Sequence, residues 1–148
     1  MKLTFLFISI FIILSCGTNN ESSKNSKSRE SGIIEVSPLV MERGLTVYKA
    51  HCFACHQMSG KGMKALYPPL AENKTVTGDK EALIAIILKG MSGEIVVNGE
   101  KYNQVMIPHD FLNDNQIADV LTYIRNSFGN KAEPVTPQEV KLIRKNSR

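Results

Sequence analysis

The pattern of apolar and polar residues and the boundary signals beside it predict helices in three stretches of this 148-residue chain. The clearest stretch follows Asn113, where large apolar residues share one helix face: Ile117, Val120, Leu121, Ile124 and Phe128. Gln116 stands three residues after Asn113, as in a capping box, and Gly129 is suited to end a helix. The pattern predicts a last helix that begins near residue 113 and buries its apolar face.

The first predicted helix follows Ser37-Pro38, a capping residue before a proline at the first helical position. It extends to about Ala50. Gly44 and Tyr48 lie one turn apart on one of its faces. A glycine there lets a second helix approach closely, with the aromatic ring beside the crossing. The first and last helices are therefore predicted to cross each other.

Between these two helices, the chain predicts a third helix and a hairpin. Asp79 can cap a helix over residues 80–89, which is rich in leucine and isoleucine and is followed by Gly90. Residues 94–102 predict a β-hairpin, in which Asn98-Gly99 supplies the positive φ angles of a type I′ turn. No internal repeat is present, so the sequence predicts one mostly helical domain with a single cofactor site.

Residues 52–56 are Cys52-Phe53-Ala54-Cys55-His56, the C-x-x-C-H spacing at which c-type haem is attached. Each cysteine can form a thioether with a haem vinyl group, and the adjacent imidazole can bind the iron. Zinc usually takes a second ligand pair, which the chain lacks, and a thioredoxin-like site follows a strand rather than a helix. We expect one covalent haem c, with His56 as the proximal ligand. Zinc binding and thiol–disulfide chemistry are the alternatives.

The segment Tyr67-Pro68-Pro69-Leu70 is placed to orient His56. A ligating imidazole normally donates its second N–H to a carbonyl or carboxylate. Prolines make a rigid turn, so the Pro68 carbonyl can accept that N–H. A plain proline turn that closes the loop fits the same spacing.

The sixth iron ligand must come from a downstream segment, and we expect it to be Met106. This residue lies in an irregular segment between the hairpin and the last helix. Met58 and Met63 follow the attachment site too closely, and Met91 directly follows a helix end. The alternatives are His109, an open sixth position, and a core-filling role for Met106.

The N-terminus carries an apolar stretch of twelve residues, Leu3 to Leu14, which is too short to span a bilayer and fits a secretory signal. It ends in Ile13-Leu14-Ser15-Cys16-Gly17, which resembles the lipobox of bacterial lipoproteins. The resemblance implies cleavage before Cys16 and a lipid anchor on that residue, which would attach the protein stably to a membrane. An ordinary signal peptide with an incidental cysteine is the alternative.

The sequence thus divides into a signal peptide (1–15), a lipidated cysteine with a flexible tether (16–35), a domain (36–130) and a basic tail (131–148). Residues 17–32 contain no large apolar side chain, and their r.m.s. reach is roughly 20–25 Å. Residues 33–130 contain nine Lys or Arg and ten Asp or Glu, whereas the last eighteen residues contain five Lys or Arg and two Glu. The tail is therefore predicted to be solvated. Export and the lack of a basic face with interleaved aromatics argue against nucleic-acid binding.

The order of these features resembles that of a class I cytochrome c: Gly44, Tyr48, Cys52, Cys55, His56, Pro68, Met106 and a terminal helix. The resemblance implies an all-α fold of three to four helices around one haem, with a small β-hairpin before the methionine loop. It also implies six-coordinate His/Met iron and one-electron transfer. The family's common Met-Pro pair is split here by Ile107.

Three further segments, residues 67–70, 97–99 and 120–126, resemble a bacterial subgroup found alone or fused to periplasmic oxidoreductases such as copper nitrite reductases. By analogy with the family, three lysines ring an exposed haem edge and steer acidic partners: Lys49, Lys61 and Lys64. Scattered solubilising lysines are the alternative.

We therefore expect a lipid-anchored, monohaem electron carrier on the periplasmic side of a bacterial envelope. It would exchange single electrons with a donor and an acceptor protein, as a monomer or within a redox complex, without catalysis of its own. Three alternatives are a dedicated subunit of an oxidoreductase, a haem enzyme or gas sensor with an open distal site, and a haem-free binding lipoprotein. So short a domain buries little surface, and without haem we expect it to be largely unfolded.

Overall fold

The computed structural model describes residues 35–146, which form six helices and one two-stranded antiparallel sheet. In chain order the elements are α1 (Pro38–His51), α2 (Phe53–His56), α3 (Lys74–Thr77), α4 (Lys80–Lys89), β1 (Ile95–Val97), β2 (Glu100–Tyr102), α5 (Asp114–Arg125) and α6 (Pro137–Asn146). The predicted signal peptide, the lipidation site at Cys16 and nearly all of the tether lie outside the described residues. Within the described part, no helix is both long and apolar enough to cross a bilayer.

Capping chemistry sets the starts of the main helices. At α5, Asn113 Oδ1 accepts the Gln116 N–H and Gln116 Oε1 accepts the Asn113 N–H, each at 3.0 Å, so the predicted capping box is formed. Asp79 caps α4 by accepting an N–H of the first turn at 2.9 Å. At α1, Pro38 occupies the first turn, but the Ser37 side chain makes no capping hydrogen bond. The proline therefore marks this boundary, and the expected Ser37 cap is absent.

Helix α5 ends at Arg125, three residues before the end that apolar spacing predicts. Phe128 and Gly129 have φ angles of 58° and 82°, so both residues lie in left-handed backbone beyond the helix. The Phe128 ring packs against Tyr48 and Tyr123, with centroid distances of 5.3 and 5.6 Å. The prediction was wrong here because tertiary packing, not helical periodicity, places this partly buried ring against the core.

The hairpin is confirmed with the predicted turn. Strands β1 and β2 pair in antiparallel register, with Ile95 opposite Tyr102. Asn98 and Gly99 have φ angles of 51° and 82°, as a type I′ turn requires. The hairpin directly precedes the segment that contains Met106.

Helices α1 and α5 cross at Gly44, as the sequence predicted. A Cβ atom on Gly44 would collide with the Asp119 carbonyl and the Tyr123 side chain. Tyr48, one turn later, is completely buried. Beside the crossing, Arg43 donates to both carboxylate oxygens of Asp119, at 2.6 and 2.9 Å. Backbone-to-backbone contact and a bidentate ion pair therefore fix the angle between the two helices.

Helix α6 packs against α4 and α5, so the segment after residue 130 is part of the domain. Val140 is completely buried. Glu139 Oε2 accepts the Thr136 N–H at 2.7 Å, which caps the helix, and Glu139 also pairs with Lys80 of α4 at 2.5 Å. The solvated basic tail was therefore a wrong prediction for these residues. Glu139 pairs with Lys80, Arg144 pairs with Asp114 of α5 at 2.7 Å, and one face of the helix is apolar.

Arg125, at the end of α5, joins three segments of the chain. Its side chain is buried, and Nε donates to the Glu133 carbonyl at 2.7 Å. Nη1 donates to the carbonyls of Val76 and Gly78 at 2.6 and 3.0 Å. Burial lowers the pKa of this guanidinium, while the nearby carboxylates of Glu133 and Glu139 oppose the shift. The connection into α4 and the connection into α6 are thereby tied to α5.

Gly44→Ala tests the helix crossing. The added methyl group must push α1 away from α5, so we expect the free energy of unfolding to fall by about 1–3 kcal/mol. This loss would outweigh the better helix propensity of alanine, which is about 0.5–1 kcal/mol. Denaturant unfolding measures the change. Glu42→Ala, at an exposed position of α1, is the control and should change stability by less than about 0.5 kcal/mol. Equal effects would show that the two backbones do not touch at Gly44.

Candidate haem site

The C-x-x-C-H segment occupies the end of α1 and the single turn of α2. The Cys52 N–H donates to the Tyr48 carbonyl at 2.9 Å and closes α1, and the His56 N–H donates to the Cys52 carbonyl at 2.9 Å. Cys52 and Cys55 are both free thiols and both partly exposed. One short helical segment thus carries two partly exposed thiols and an imidazole.

The environment sets the protonation of these groups. Burial raises the pKa of the Cys52 thiol to about 12, and the nearby Cys55 acts in the same direction. Burial lowers the pKa of the His56 imidazole; the hydrogen bond to the Pro68 carbonyl opposes this shift, and His109 adds to it. The His56 ring is therefore neutral at pH 7, which is the form that binds a metal ion.

A hydrogen bond fixes the orientation of the His56 ring. Its Nδ1 lies 3.0 Å from the Pro68 carbonyl oxygen, so the Nδ1–H donates to that oxygen and Nε2 is left with a free lone pair that can bind a metal ion. The carbonyl belongs to the proline turn in which the sequence placed it. Two further hydrogen bonds hold the chain between His56 and Pro68 in place. The Tyr48 hydroxyl donates to the Gln57 carbonyl at 2.6 Å, and the Leu70 N–H donates to the Gly60 carbonyl at 2.7 Å.

Gly62 lies directly against this carbonyl. Its φ angle is 63°, and a Cβ atom there would collide with the carbonyl oxygens of Tyr67 and Pro68. Its own N–H donates to the His56 carbonyl at 3.0 Å. Gly62 was not predicted as a site residue, although two closely spaced glycines, at 60 and 62, signalled an unusual backbone after the motif.

Residues 103–112, which we call the distal loop, contain Met106. Met106 and Met91 exchange both of their backbone hydrogen bonds at 2.9 Å. Gly90, with φ of 72°, allows the Met106 carbonyl and the Pro108 nitrogen to pass close to its backbone. The Met106 side chain is partly buried and packs against the hydrophobic core. The start of the loop is thus fixed on the end of α4.

His109 occupies an unexpected place in the distal loop. Its backbone N–H donates to the Ile87 carbonyl at 2.8 Å, and its ring is buried. The ring Nδ1 has no hydrogen-bond partner, and Asn130 Oδ1 is the other such buried side-chain atom among residues 35–146. The ring lies beside His51 and Phe111, with centroid distances of 6.5 and 5.7 Å. The sequence suggested His109 as an alternative iron ligand but did not predict its burial.

Exposed apolar side chains concentrate around these residues. Of ten large apolar side chains that are exposed in the described part of the chain, seven fall in residues 53–66 or 105–111: Phe53, Met58, Met63, Leu66, Val105, Ile107 and Phe111. Residues 53–66 include Cys55 and His56 of the C-x-x-C-H motif, and residues 105–111 include Met106. So many clustered apolar groups mark a binding surface, and they fit a flat, apolar macrocycle between the two segments.

The structure adds little about the three lysines that the sequence suggested beside the haem edge. Lys49, Lys61 and Lys64 are exposed, and Lys64 lies 3.8 Å from the Glu100 carboxylate. No group of three His, Cys, Asp or Glu side chains in residues 35–146 is arranged to hold a metal ion.

Comparison with known families identifies the site. Residues 41–128 match the model of the cytochrome c family. The chain belongs to the cytochrome c family. Its helices and small hairpin form the class I cytochrome c fold, and α6 lies beyond the matched segment. This membership also gives the cofactor and the chemistry, which are a covalently bound c-type haem and electron transfer.

Two groups of proteins are similar to this cytochrome c. Cytochrome c-552 of Thermus thermophilus is 38% identical over 115 residues, which cover 72% of this chain and 77% of the relative. The fructose dehydrogenase cytochrome subunit of Gluconobacter japonicus is 35% identical over 108 residues, or 68% of this chain and 22% of the subunit. The gluconate 2-dehydrogenase cytochrome c subunit of Pantoea cypripedii is 37% identical over 110 residues, or 70% and 24%. This cytochrome c therefore spans less than a quarter of the two dehydrogenase subunits.

Gly62→Ala tests how the His56 ring is oriented. The new methyl group must displace the Pro68 carbonyl, which weakens the hydrogen bond to Nδ1 and makes the imidazole a poorer electron donor. We therefore expect a higher reduction potential in the haem-loaded protein, measured by potentiometric titration. Gly60→Ala is the control: Gly60 also has a positive φ, of 66°, but faces the Phe128 ring. Equal shifts in both variants would assign the effect to backbone strain instead.

Proposed function

We propose that this cytochrome c is a lipid-anchored, monohaem electron carrier. Cys52 and Cys55 hold the haem through thioethers, and His56 and Met106 are the two axial iron ligands. The observation that carries the proposal is the hydrogen bond from His56 Nδ1 to the Pro68 carbonyl, at 3.0 Å, next to two free thiols. When bound, haem iron supplies the one-electron ferrous–ferric couple.

Contacts within the chain hold both proposed iron ligands in place, as an electron carrier requires. The proline turn and Gly62 hold the His56 ring in one orientation, and the exchange of hydrogen bonds with Met91 holds the Met106 backbone. Two ligands fixed in this way change little between oxidation states, which keeps reorganisation small. A methionine ligand also gives a higher potential than a second histidine. No residue is assigned a catalytic role.

The N-terminal segment supports an envelope location. We propose that residues 1–15 are a signal peptide, that Cys16 is lipidated, and that the residues up to 35 tether the domain to a membrane on the periplasmic side. The support is the apolar stretch followed by Leu14-Ser15-Cys16-Gly17, and then a run without large apolar residues. A tether of this length keeps the haem domain near membrane-bound redox donors and acceptors.

A second candidate is a dedicated cytochrome subunit of one oxidoreductase. The similarity to proteins named as dehydrogenase cytochrome subunits favours it. Purification from native membranes under mild detergent distinguishes the two: a stoichiometric enzyme partner supports the subunit, and a protein that runs alone supports a free carrier.

Spectroscopy and mass analysis of protein from a host with haem-attachment machinery test the main proposal. We expect an intact mass that includes one covalent haem, a low-spin reduced-minus-oxidised spectrum, and no carbon monoxide binding to the reduced protein at neutral pH. Carbon monoxide binding would favour the haem enzyme or sensor with an open sixth position. Apoprotein alone would favour a haem-free lipoprotein and would overturn electron transfer through residues 52–56.

Met106→Ala tests the sixth ligand. Loss of the thioether should remove the sulfur-to-iron charge-transfer band of the ferric protein and lower the reduction potential, since the replacement ligand is a harder donor. Absorbance spectroscopy and potentiometry measure both. Met91→Ala is the matched control, because it removes the side chain across the backbone bridge and should leave the band in place. A band that persists in Met106→Ala would move the ligand to another residue.

Cys16→Ala tests the anchor. The variant should lose incorporation of labelled fatty acid in growing cells, whereas Ser22→Ala, within the proposed tether, should keep it. A chain in which an ordinary cleavable export signal replaces residues 1–16 should be recovered in the soluble periplasmic fraction. Labelling that persists in Cys16→Ala would refute lipidation at this residue.

A further inference from the structure

We propose that two buried asparagines, Asn73 and Asn130, are positioning residues for the proximal iron ligand, and that they help to set the reduction potential of the haem. The inference rests on the proposed function, because it requires bound haem with His56 on the iron. Both asparagines act on the His56 ring indirectly, through the backbone of residues 68–70.

Three consecutive carbonyls of the proline turn each accept a hydrogen bond from a side-chain nitrogen. The bonds run from His56 Nδ1 to Pro68 at 3.0 Å, from Asn73 Nδ2 to Pro69 at 2.7 Å, and from Asn130 Nδ2 to Leu70 at 2.8 Å. The bond that orients the imidazole is therefore the first of a row. The other two bonds hold the two peptide units that follow.

The two prolines explain why these carbonyls control the turn. Pro68 and Pro69 have no N–H, so their backbone cannot be held through donors, and their φ angles are already fixed. The rotation that remains is ψ, which turns each carbonyl. The Leu70 N–H, which donates to the Gly60 carbonyl at 2.7 Å, holds the far end of the turn. Fixing the Pro69 and Leu70 carbonyls as well therefore limits how far the Pro68 carbonyl can rotate away from the imidazole.

Asn130 makes this contact at the expense of its own oxygen. Its Nδ2 also donates to the Ile124 carbonyl at 2.9 Å, so one amide joins the end of α5 to the turn. Both partners are carbonyl oxygens, which only accept, so the amide nitrogen must face them. Its Oδ1 is left buried without a hydrogen-bond partner, a state that native proteins rarely keep. The two N–H donors, and not the oxygen, are therefore what this position uses.

Asn73 uses the two ends of its amide for different purposes. Its Oδ1 accepts the N–H groups of Thr75 and Val76, at 2.8 and 3.4 Å, and so caps α3. Its Nδ2 donates to the Pro69 carbonyl, and the side chain is buried. A substitution that keeps the acceptor and removes the donor therefore separates the support of the turn from the cap of the helix.

The bond to the Pro68 carbonyl connects this turn to the iron. A hydrogen bond from Nδ1–H makes a ligating imidazole a stronger electron donor, and a stronger donor favours ferric iron. Release of the turn lets the Pro68 carbonyl rotate, which weakens the bond and raises the reduction potential. The direction is the same as that expected for Gly62→Ala, but the residues that cause it lie elsewhere in the chain.

Asn130→Ala in the haem-loaded, full-length protein tests the first support. We expect a higher reduction potential by potentiometric titration. We also expect faster exchange of the His56 Nδ1–H with deuterated water, followed by nuclear magnetic resonance of the ferrous protein. Asn126→Ala is the matched control: its Nδ2 donates to the Thr122 carbonyl at 3.0 Å, within α5, and does not reach the turn. It removes a similar bond and should change neither quantity.

Asn73→Ser tests the second support and serves also if Asn130→Ala does not fold. Serine is neutral and still caps a helix, but its hydroxyl is too short to span the contact with the Pro69 carbonyl. We expect the same rise in potential and the same faster exchange. Asn113→Ser makes the identical change at the cap of α5, where the side-chain oxygen accepts the Gln116 N–H, and should change neither quantity.

The two readouts separate this inference from a structural role and from the proposed function. Equal results for each asparagine variant and its control would overturn the positioning role, while a parent protein with covalent haem would leave the electron carrier standing. A higher potential without faster Nδ1–H exchange would also overturn it, because the effect would then not pass through the His56 hydrogen bond. A parent protein without haem would overturn both proposals.

Discussion

Helices α1 and α5 meet at Gly44 without a side chain between their backbones, and this contact fixes the position of nearly everything that the haem site needs. The C-x-x-C-H segment continues directly from α1, so the angle of that helix sets where the two thiols and the imidazole lie. One turn after Gly44, the buried Tyr48 ring carries a hydroxyl that bonds the Gln57 carbonyl at 2.6 Å. The crossing therefore also positions the start of the loop that returns to His56 with the Pro68 carbonyl.

The sequence could predict whatever depends on neighbours along the chain. Three features depend only on residues that are close together in sequence, and each is present in the structure: the C-x-x-C-H spacing, the Asn113–Gln116 capping box and the Asn98-Gly99 turn. Helix α6 was missed because its charge suggested a solvated tail. The signals were nevertheless there, since Thr136 and Glu139 have capping-box spacing and the buried Val140 follows at once.

Other features could not be predicted because they depend on which distant segments meet. Phe128 continues the apolar period of α5, yet its packing against Tyr48 and Tyr123 requires the chain to leave the helix first. A glycine is needed at residue 62 only because the Pro68 carbonyl folds back onto that position. Arg144 reaches the Asp110 carbonyl only because α6 lies beside the distal loop. Local sequence patterns identify the side chains that can bind a cofactor. The hydrogen bonds and packing contacts that orient those side chains form only when distant segments of the chain meet.

The buried guanidinium of Arg125 has a consequence for the order in which the molecule is completed. Its three carbonyl partners lie at residues 76, 78 and 133, so the set closes only after the chain has emerged almost to its end. A polypeptide is made from its N-terminus at about 5–20 residues per second, so residues 52–56 are available several seconds before residue 133 exists. Until residue 133 is made, the Arg125 Nε lacks its carbonyl acceptor, and helix α6 is missing as well. A chain that stopped just before residue 133 would keep residues 52–56 and the Val76 and Gly78 acceptors of Arg125, but it would lose the Glu133 carbonyl and helix α6.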